Sequence, residues 1–547
     1  MPTIEIDKKE FEQLTTQEFE NDKLLTEASF MGAHWHSIDG RVCEVETYPN
    51  RPDLLSVEGL ARAYRGFFDI DTGREYYHVE QGDIELEKKP SVENVRPHIG
   101  GAVIRDLELN EKFLNGLIQL QEKLHETMGR RRDKLAIGLH DLSELEPPFT
   151  YKAVRPNRVS FTPLEHEKQM QLGEILERHD KGQKYSWILE DEEKYPVILD
   201  SEEQVLSFPP IINNQLTEVT AETTDIFIDV TGKDKETVKK ALNILTTALA
   251  ERGGDIESVE IEGEEMPKLE PEEFELDPEY LRDVSGLELN RNRIEERLEQ
   301  MKYGVSGGGD KIKVEVPCYR TDVMHQYDLI EDVIIAHRYR NIEPEIPNID
   351  QIGTQKPIED FTNIVRDTMI GTGAIEALTY IHDSREKLSA KIEKSEEDFV
   401  KVENPLSEEY SAVRNLLLPS MLEVLQLNKH NSYPQSFFEA GDVVQLDDSP
   451  VGASERRKLC YVETGGETDF TNAREILQVL ERDLEVTMEV EAQDKPFFKP
   501  ERSGKILLNG EKIGFIGEVS ETVLENWELE KNTVAFELDL EKLRQER

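Results

Sequence analysis

Three things are scarce in this 547-residue chain. It has only three cysteines, Cys43, Cys318 and Cys460. They are far apart, form no C-x-x-C pair and offer no disulfide framework, which fits a reducing cytoplasm. No run of about 18 apolar residues occurs, so no membrane-spanning helix is expected. The opening MPTIEIDKKEFEQL lacks the apolar centre of a secretory signal. The expected location is the cytoplasm. Low-complexity tracts are also missing, while apolar periodic segments recur throughout, so the chain reads as folded rather than disordered.

Positive charge is the third shortage. Lysine and arginine total 65 against 115 aspartates and glutamates, a formal net charge of −50. The acids are spread over every region rather than gathered in a tail. A folded protein so charged repels itself in dilute buffer. Molar salt shortens the screening length to about 3 Å and removes that penalty. The expectation is a halophilic, salt-accumulating cell.

The length suggests roughly three to five domains at ~100–200 residues each. Residues 1–85 contain a strand-like start and the turn-to-helix segment NRPDLLSVEGLAR, with Asp53 placed to cap the helix. The stretch DTGREYYHVEQGDIELEKKPS reads as a linker or edge region. Residues 91–265 mix strands with helices, which suggests an α+β layer domain. Residues 269–345 hold helices around a Gly307–Gly309 hairpin turn, and residues 350–547 begin with a helix and end in short strands.

The densest chemical cluster is YRTDVMHQYDLIEDVIIAHRYR. Asp328, Glu331 and Asp332 fall at i, i+3 and i+4 of an expected helix, on one face, with Asp322 just upstream. Ile330, Val333, Ile334 and His337 form the other face. Crowded carboxylates repel unless a cation relieves them, and an all-oxygen set suits Mg²⁺. In so acidic a chain, such clusters also arise by chance.

In TDIFIDVTG, Ile226, Ile228 and Val230 alternate on one strand face and Phe227, Asp229 and Thr231 on the other. One face can pack on a core while the other presents polar groups. Asn213 and Asn214 end the neighbouring apolar run FPPII. Asp229 and Thr231 could instead cap the following helix. Arg130–Arg132, with Lys134, either contact phosphates or neutralise nearby acids, and receive no site. Three look-alikes carry nothing. His98-Ile99-Gly100-Gly101 lacks the histidine that ends the class I synthetase signature, Gly307–Gly309 lacks a following G-K-[ST], and His34, His36 and Cys43 lack a fourth zinc ligand.

These segments, in this order, resemble phenylalanyl-tRNA synthetase beta subunits of the archaeal branch. NRPDLLSVEGLAR is similar to the N-terminal signature. RPNRVSFTPL, FPPIINN and TDIFIDVTG resemble the B3/4 editing domain, the acidic cluster resembles the B5 domain, and NPLSEEYSAVRNLLLPS with FFEAGDVV resembles a catalytically inactive class II-like domain. The OB and anticodon-binding modules of the bacterial branch are not seen. The resemblance implies a multidomain α+β architecture: an N-terminal domain (1–85), a B3/4 tRNA-editing domain (91–265), a small winged-helix-like B5 domain (269–345), and a class II synthetase-like antiparallel-sheet domain without catalytic motifs (350–547). It implies a heterotetramer of two alpha and two beta chains. Phenylalanine, ATP and the synthetic site belong to the alpha subunit, and tRNA(Phe) is the shared substrate. It implies Mg²⁺ at Asp322, Asp328, Glu331 and Asp332, shared with the alpha subunit. Tyrosine wrongly joined to tRNA(Phe) would be hydrolysed in a pocket of Asn213, Asn214, Asp229 and Thr231, with Asp229 positioning water or the substrate amine. A stand-alone editing hydrolase, or an inactive RNA-binding scaffold, are the rival expectations. At −50, RNA contacts must rest more on shape, stacking and hydrogen bonds than on counterion release.

Overall fold

In the computed structural model, which describes residues 2–395 and 399–546, the chain folds as two units that part after Ile346. The first unit opens with β1 (Thr3–Asp7), β2 (Ala33–Asp39) and β3 (Val42–Thr47), an antiparallel sheet in the order β1-β3-β2. Helix α1 (Lys8–Thr15) and helix α2 (Val57–Phe67) cover it around Phe11, Trp35 and Tyr64. The cap of α2 is Ser56, whose hydroxyl accepts from the Gly59 amide, and not Asp53 as expected. Asp53 instead accepts a bidentate bond from Arg51 at 2.9 and 2.8 Å, because the buried guanidinium needs a counter-charge more than the helix needs a second cap.

A ten-stranded sheet dominates the first unit. Its strands are β4 (Val79–Lys88), β5 (His98–Arg105), β6 (Leu135–Asp141), β7 (Phe149–Val154), β8 (Tyr195–Leu199), β9 (Val205–Phe208), β10 (Ile212–Asn213), β11 (Ile226–Gly232), β12 (Asp255–Ile261) and β13 (Glu264–Met266). The order is β10-β9-β8-β7-β4-β12-β5-β11-β6, with β13 beside β12. The segment expected as a linker therefore supplies an interior strand. β4 lies parallel to both β7 and β12, and its alternate residues Ile84 and Leu86 face the core. Helix α3 (Glu111–Glu126) buries Phe113, Leu117, Leu120 and Leu124 at helical spacing and is capped by Asn110. Helix α4 (Lys235–Ala250) packs on the sheet where Gly100 leaves room for Val238 and Leu242.

The unit closes with α5 (Pro278–Ser285), α6 (Arg291–Gln300) and α7 (Gln326–His337) around a three-stranded sheet. Its strands are β14 (Glu272–Leu276), β15 (Gly304–Ser306) and β16 (Ile312–Val316), in the order β14-β16-β15. The Gly307 turn joins β15 to β16 with φ +93°, a backbone that only glycine adopts cheaply. One contiguous hydrophobic core links all three parts of this unit, from Ile4 to Ala336.

The second unit is built on a seven-stranded sheet: β17 (Ile375–Glu376), β18 (Gln435–Leu446), β19 (Ala453–Gly465), β20 (Met488–Ala492), β21 (Phe498–Leu508), β22 (Glu511–Val519) and β23 (Asn532–Asp539). The order is β17-β18-β19-β23-β22-β21-β20, antiparallel except where β17 meets β18. Helices α8 (Pro357–Gly371), α10 (Phe470–Asp483) and α11 (Leu540–Glu546) share one core with the sheet, and α9 (Leu418–Asn428) shares another. Two buried ion pairs cross this unit: Lys458 with Glu537 and Arg414 with Glu439, each at 2.8 Å. No helix among the described residues is long and apolar enough to cross a membrane.

Candidate functional site

Strand β11 lies between β5 and β6, with Asp229 opposite Gly101 on one side and Gly138 on the other. The strand is buried throughout, so its second face is not open as the alternation suggested. The Asp229 carboxylate and the His140 ring sit together at 2.8 Å (Nε2 to Oδ2), and His140 Nδ1 meets the Thr217 hydroxyl at 2.8 Å. Both His140 and Asp229 are at most 1 % exposed. Gly138 is required by this pair: a Cβ there would lie 1.9 Å from Asp229 Oδ2.

Asp229 borders a cavity of about 250 Å³. That is room for a small ligand group such as one amino-acid side chain. Its walls come from Leu114 and Ile118 of α3, Ile137 and Leu139 of β6, and Ile211 beside β10. Polar groups enter at Gln121, Glu122, Arg132, Ser207, Asn213 and Asp229, and the charged Glu165, Lys181 and Glu218 also line it. The sheet curls so that its two end strands approach: the Asn213 amide on β10 donates to the Leu139 carbonyl on β6 at 3.2 Å, and accepts from the Ser207 hydroxyl at 3.0 Å. An apolar chamber with a few converging polar groups is the usual form of a small-molecule site.

At one side Arg132 donates to Glu122 Oε1 at 2.6 Å and to the Ile211 carbonyl at 2.8 Å. Burial opposes ionisation of Glu122, but His125, Arg132 and Lys181 together hold its carboxyl well below the usual range. Burial pulls His125 down to about 4, and its Nε2 accepts from the Ile137 amide at 2.8 Å. At neutral pH the chamber thus contains an ionised carboxylate and a guanidinium held as a pair.

Two of the four expected pocket residues, Asn213 and Asp229, line the chamber; Asn214 and Thr231 do not. Asn214 donates to the Val205 carbonyl at 2.6 Å and caps a short turn. Thr231 accepts from Arg96 Nε at 3.0 Å, because Arg96 is buried and must be hydrogen-bonded. Neither Asp229 nor Thr231 caps α4; Asp234 does. His140, Gly138 and Glu122 were missed in the sequence. A signal existed for two of them: Gly138 and His140 alternate on one face of LAIGLHD, as a strand requires.

The acidic cluster is arranged differently from the expectation. Arg320 donates to Asp322 at 2.8 and 2.7 Å and to Asp332 at 2.7 Å, and the Tyr303 hydroxyl donates to the same Asp332 oxygen. Burial opposes it, but Arg320 holds Asp322 down to about 2. Asp328 accepts from the Met324 and His325 amides at 2.7 and 2.8 Å, capping α7. Glu331 is exposed; partial desolvation, then Asp332, Asp328 and Asp322, push its carboxyl up. Among the described residues no three His, Cys, Asp or Glu groups converge as a metal site. Arg320, two residues before Asp322, is the cation in place.

Of the three look-alikes, His98 opens β5, Gly307 forms its turn, and His36 pairs with Glu46 at 2.7 Å while Cys43 is buried.

Residues 108–269 match the B3/4 domain, residues 274–339 the tRNA synthetase B5 domain, and residues 342–540 the phenylalanyl tRNA synthetase beta chain CLM domain. Together with the curled sheet and its chamber, these domains define a subunit of an aminoacyl-tRNA synthetase. A phenylalanine–tRNA ligase beta subunit of Archaeoglobus fulgidus is 40% identical, covering 99% of this chain and 98% of its own. That of Pyrococcus horikoshii is also 40% identical, over 99% of this chain and 100% of its own. The crystal structure of an N-terminal fragment of the Pyrococcus horikoshii phenylalanyl-tRNA synthetase beta subunit matches with TM-score 0.59 and 39% identity, over 61% of this chain and 99% of the fragment. The chain belongs to the phenylalanine–tRNA ligase beta-subunit family.

Proposed function

We propose that this chain assembles with an alpha subunit, two of each, to join L-phenylalanine to tRNA(Phe) with ATP yielding AMP and diphosphate, and that its own chemistry is hydrolysis of Tyr-tRNA(Phe). The observation that carries the hydrolytic reading is the buried His140–Asp229 pair at the wall of an apolar chamber. An apolar pocket rejects an analogue bearing one extra hydroxyl only weakly, so a synthetic site for phenylalanine benefits from a second, hydrolytic one. His140 fixes one Asp229 oxygen, leaving the carboxylate oriented to accept from a water or from the ammonium of the aminoacyl group. Asn213 stands across the same chamber, with Glu122 and Arg132 at its side.

The alpha chain as holder of the synthetic site is supported by the second unit. Its Arg414 and Lys458 are consumed in buried pairs, and Glu537 also accepts the Leu417 and Leu418 amides at 2.9 and 3.1 Å. These charges hold the sheet together instead of facing a nucleotide. A largely antiparallel sheet flanked by helices suits a class II-like dimer partner. Exposed Leu378, Tyr380, Leu406 and Tyr410 on this unit suit a protein partner.

Asp322, Asp328, Glu331 and Asp332 offer the all-oxygen donor set of a hard cation, although they do not converge in this arrangement: Arg320 neutralises Asp322 and Asp332, backbone amides hold Asp328, and the surplus charge falls on Glu331. These four residues would hold Mg²⁺, which would neutralise that surplus next to exposed Met324 and Tyr327, where a partner chain can dock. Asp328→Ala should weaken Mg²⁺-dependent assembly with the alpha subunit, and unchanged assembly across a Mg²⁺ titration would count against the site. The first experiment is phenylalanine charging in molar KCl with Mg²⁺, by this chain alone and with its alpha subunit. Activity only in the mixture is expected; activity of this chain alone would overturn the division of labour.

A further inference from the structure

Residues 127–134 join α3, one wall of the chamber, to β6, its floor. Within this loop Arg130, Arg131 and Arg132 have left-handed backbone, with φ of 48°, 58° and 69°. Residues other than glycine hold such angles only when the surroundings enforce them, and such places cluster at functional sites. Here the enforcement is visible. The Arg132 amide donates to the His125 carbonyl at 3.1 Å, and the Lys134 amide to the Gly129 carbonyl at 2.9 Å. Buried Arg96 donates to the Arg132 and Asp133 carbonyls at 3.1 and 3.0 Å.

The three arginines divide their work. Arg132 turns inward and neutralises Glu122. Arg130 and Arg131 stay exposed and have no ion pair or side-chain hydrogen bond among the described residues. In a chain of net charge −50, a strained turn that presents two unspent guanidinium groups directly before Arg132, which lines the chamber, is not explained by neutralising neighbours. Guanidinium forks bind phosphate oxygens in pairs and keep their charge at any working pH.

We propose that Arg130 and Arg131 are a phosphate-binding rim that grips the 3′-terminal strand of the aminoacylated RNA whose ester enters the chamber. The proposal rests on the hydrolytic reading above. The rim acts on binding and not on the bond cleaved.

The test compares two substrates of the full chain assembled with its alpha subunit: Tyr-tRNA(Phe), and 2′(3′)-O-tyrosyl-adenosine, which has no phosphate. For Arg130→Gln/Arg131→Gln, KM for Tyr-tRNA should rise about tenfold with kcat unchanged, and tyrosyl-adenosine hydrolysis should keep its rate. The slope of log KM against log [KCl] should flatten by about 1 to 2, one phosphate contact per arginine. Arg130→Lys/Arg131→Lys should recover most of the KM. A glutamine variant with wild-type KM and salt slope overturns the rim while leaving the hydrolytic reading intact. Equal losses on both substrates also overturn it, since the loop would then merely support the chamber. Wild-type protein inert on both substrates removes the hydrolytic reading and the rim with it.

Discussion

Asp229 and Gly138 show how closely one residue's role depends on the next strand. The carboxylate is buried, pairs with His140, and faces a glycine that has no room for a methyl group. Asp229→Ala should slow Tyr-tRNA(Phe) deacylation by about 10²- to 10⁴-fold, the range of a lost acid–base or water-positioning group. Gly138→Ala should do the same by displacing the carboxylate, while phenylalanine charging by the assembled enzyme stays near wild type. Full deacylation by either variant would discard the assignment. Thr231→Val should behave oppositely. It leaves Arg96 short of an acceptor and should cost about 1–2 kcal/mol of stability, with deacylation retained. Asp229 was legible because a carboxylate on an apolar strand is conspicuous. Gly138 and His140 were not, because they lie some 90 residues away and only the pairing of β11 with β6 brings them together.

At the level of elements, α3 contains a pH dependence. His125 has an ordinary value of 6.5 in the unfolded chain and about 4 when folded, because burial keeps it neutral. Between these values the unfolded chain binds the extra proton. The stabilisation is therefore complete above pH 6.5 and lost as pH falls towards 4, by about 3 kcal/mol at 1.36 kcal/mol per unit. Denaturation at fixed molar KCl should show this fall, and His125→Gln should flatten it by about one proton; an unchanged slope would mean another group is responsible. In the second unit, β19 and β23 are tied by Lys458 and Glu537. Lys458→Met leaves a buried carboxylate without its cation and should cost about 3–5 kcal/mol. A melting temperature within a degree of wild type would refute that. These pairs were invisible in the sequence, where Lys458 and Glu537 are 79 residues apart.

At the scale of the whole molecule, the prediction concerns charge. The formal net of −50 should make the fold salt-dependent, so lowering KCl from molar to dilute buffer should unfold it, as followed by circular dichroism. Retention of the fold in dilute buffer would remove the halophilic reading. Salt should act unevenly. Diffuse surface repulsion responds strongly, while buried pairs such as Arg414–Glu439 respond little.

The sequence alone determined the family, the order of the modules, the excess of acid, and two residues of the chamber wall, Asn213 and Asp229. Each follows from local pattern: alternation in strands, spacing on helices, and motifs in fixed order. Tertiary structure decided what pattern cannot carry. It made β4 an interior strand, joined three expected domains through one core, and brought the two ends of the large sheet together at Asn213. It also gave Asn214, Thr231 and Asp53 structural partners, and set Arg320 among the carboxylates expected to hold metal. A polar side chain takes its role from whichever unsatisfied group folding places beside it, and that neighbour comes from a distant part of the chain.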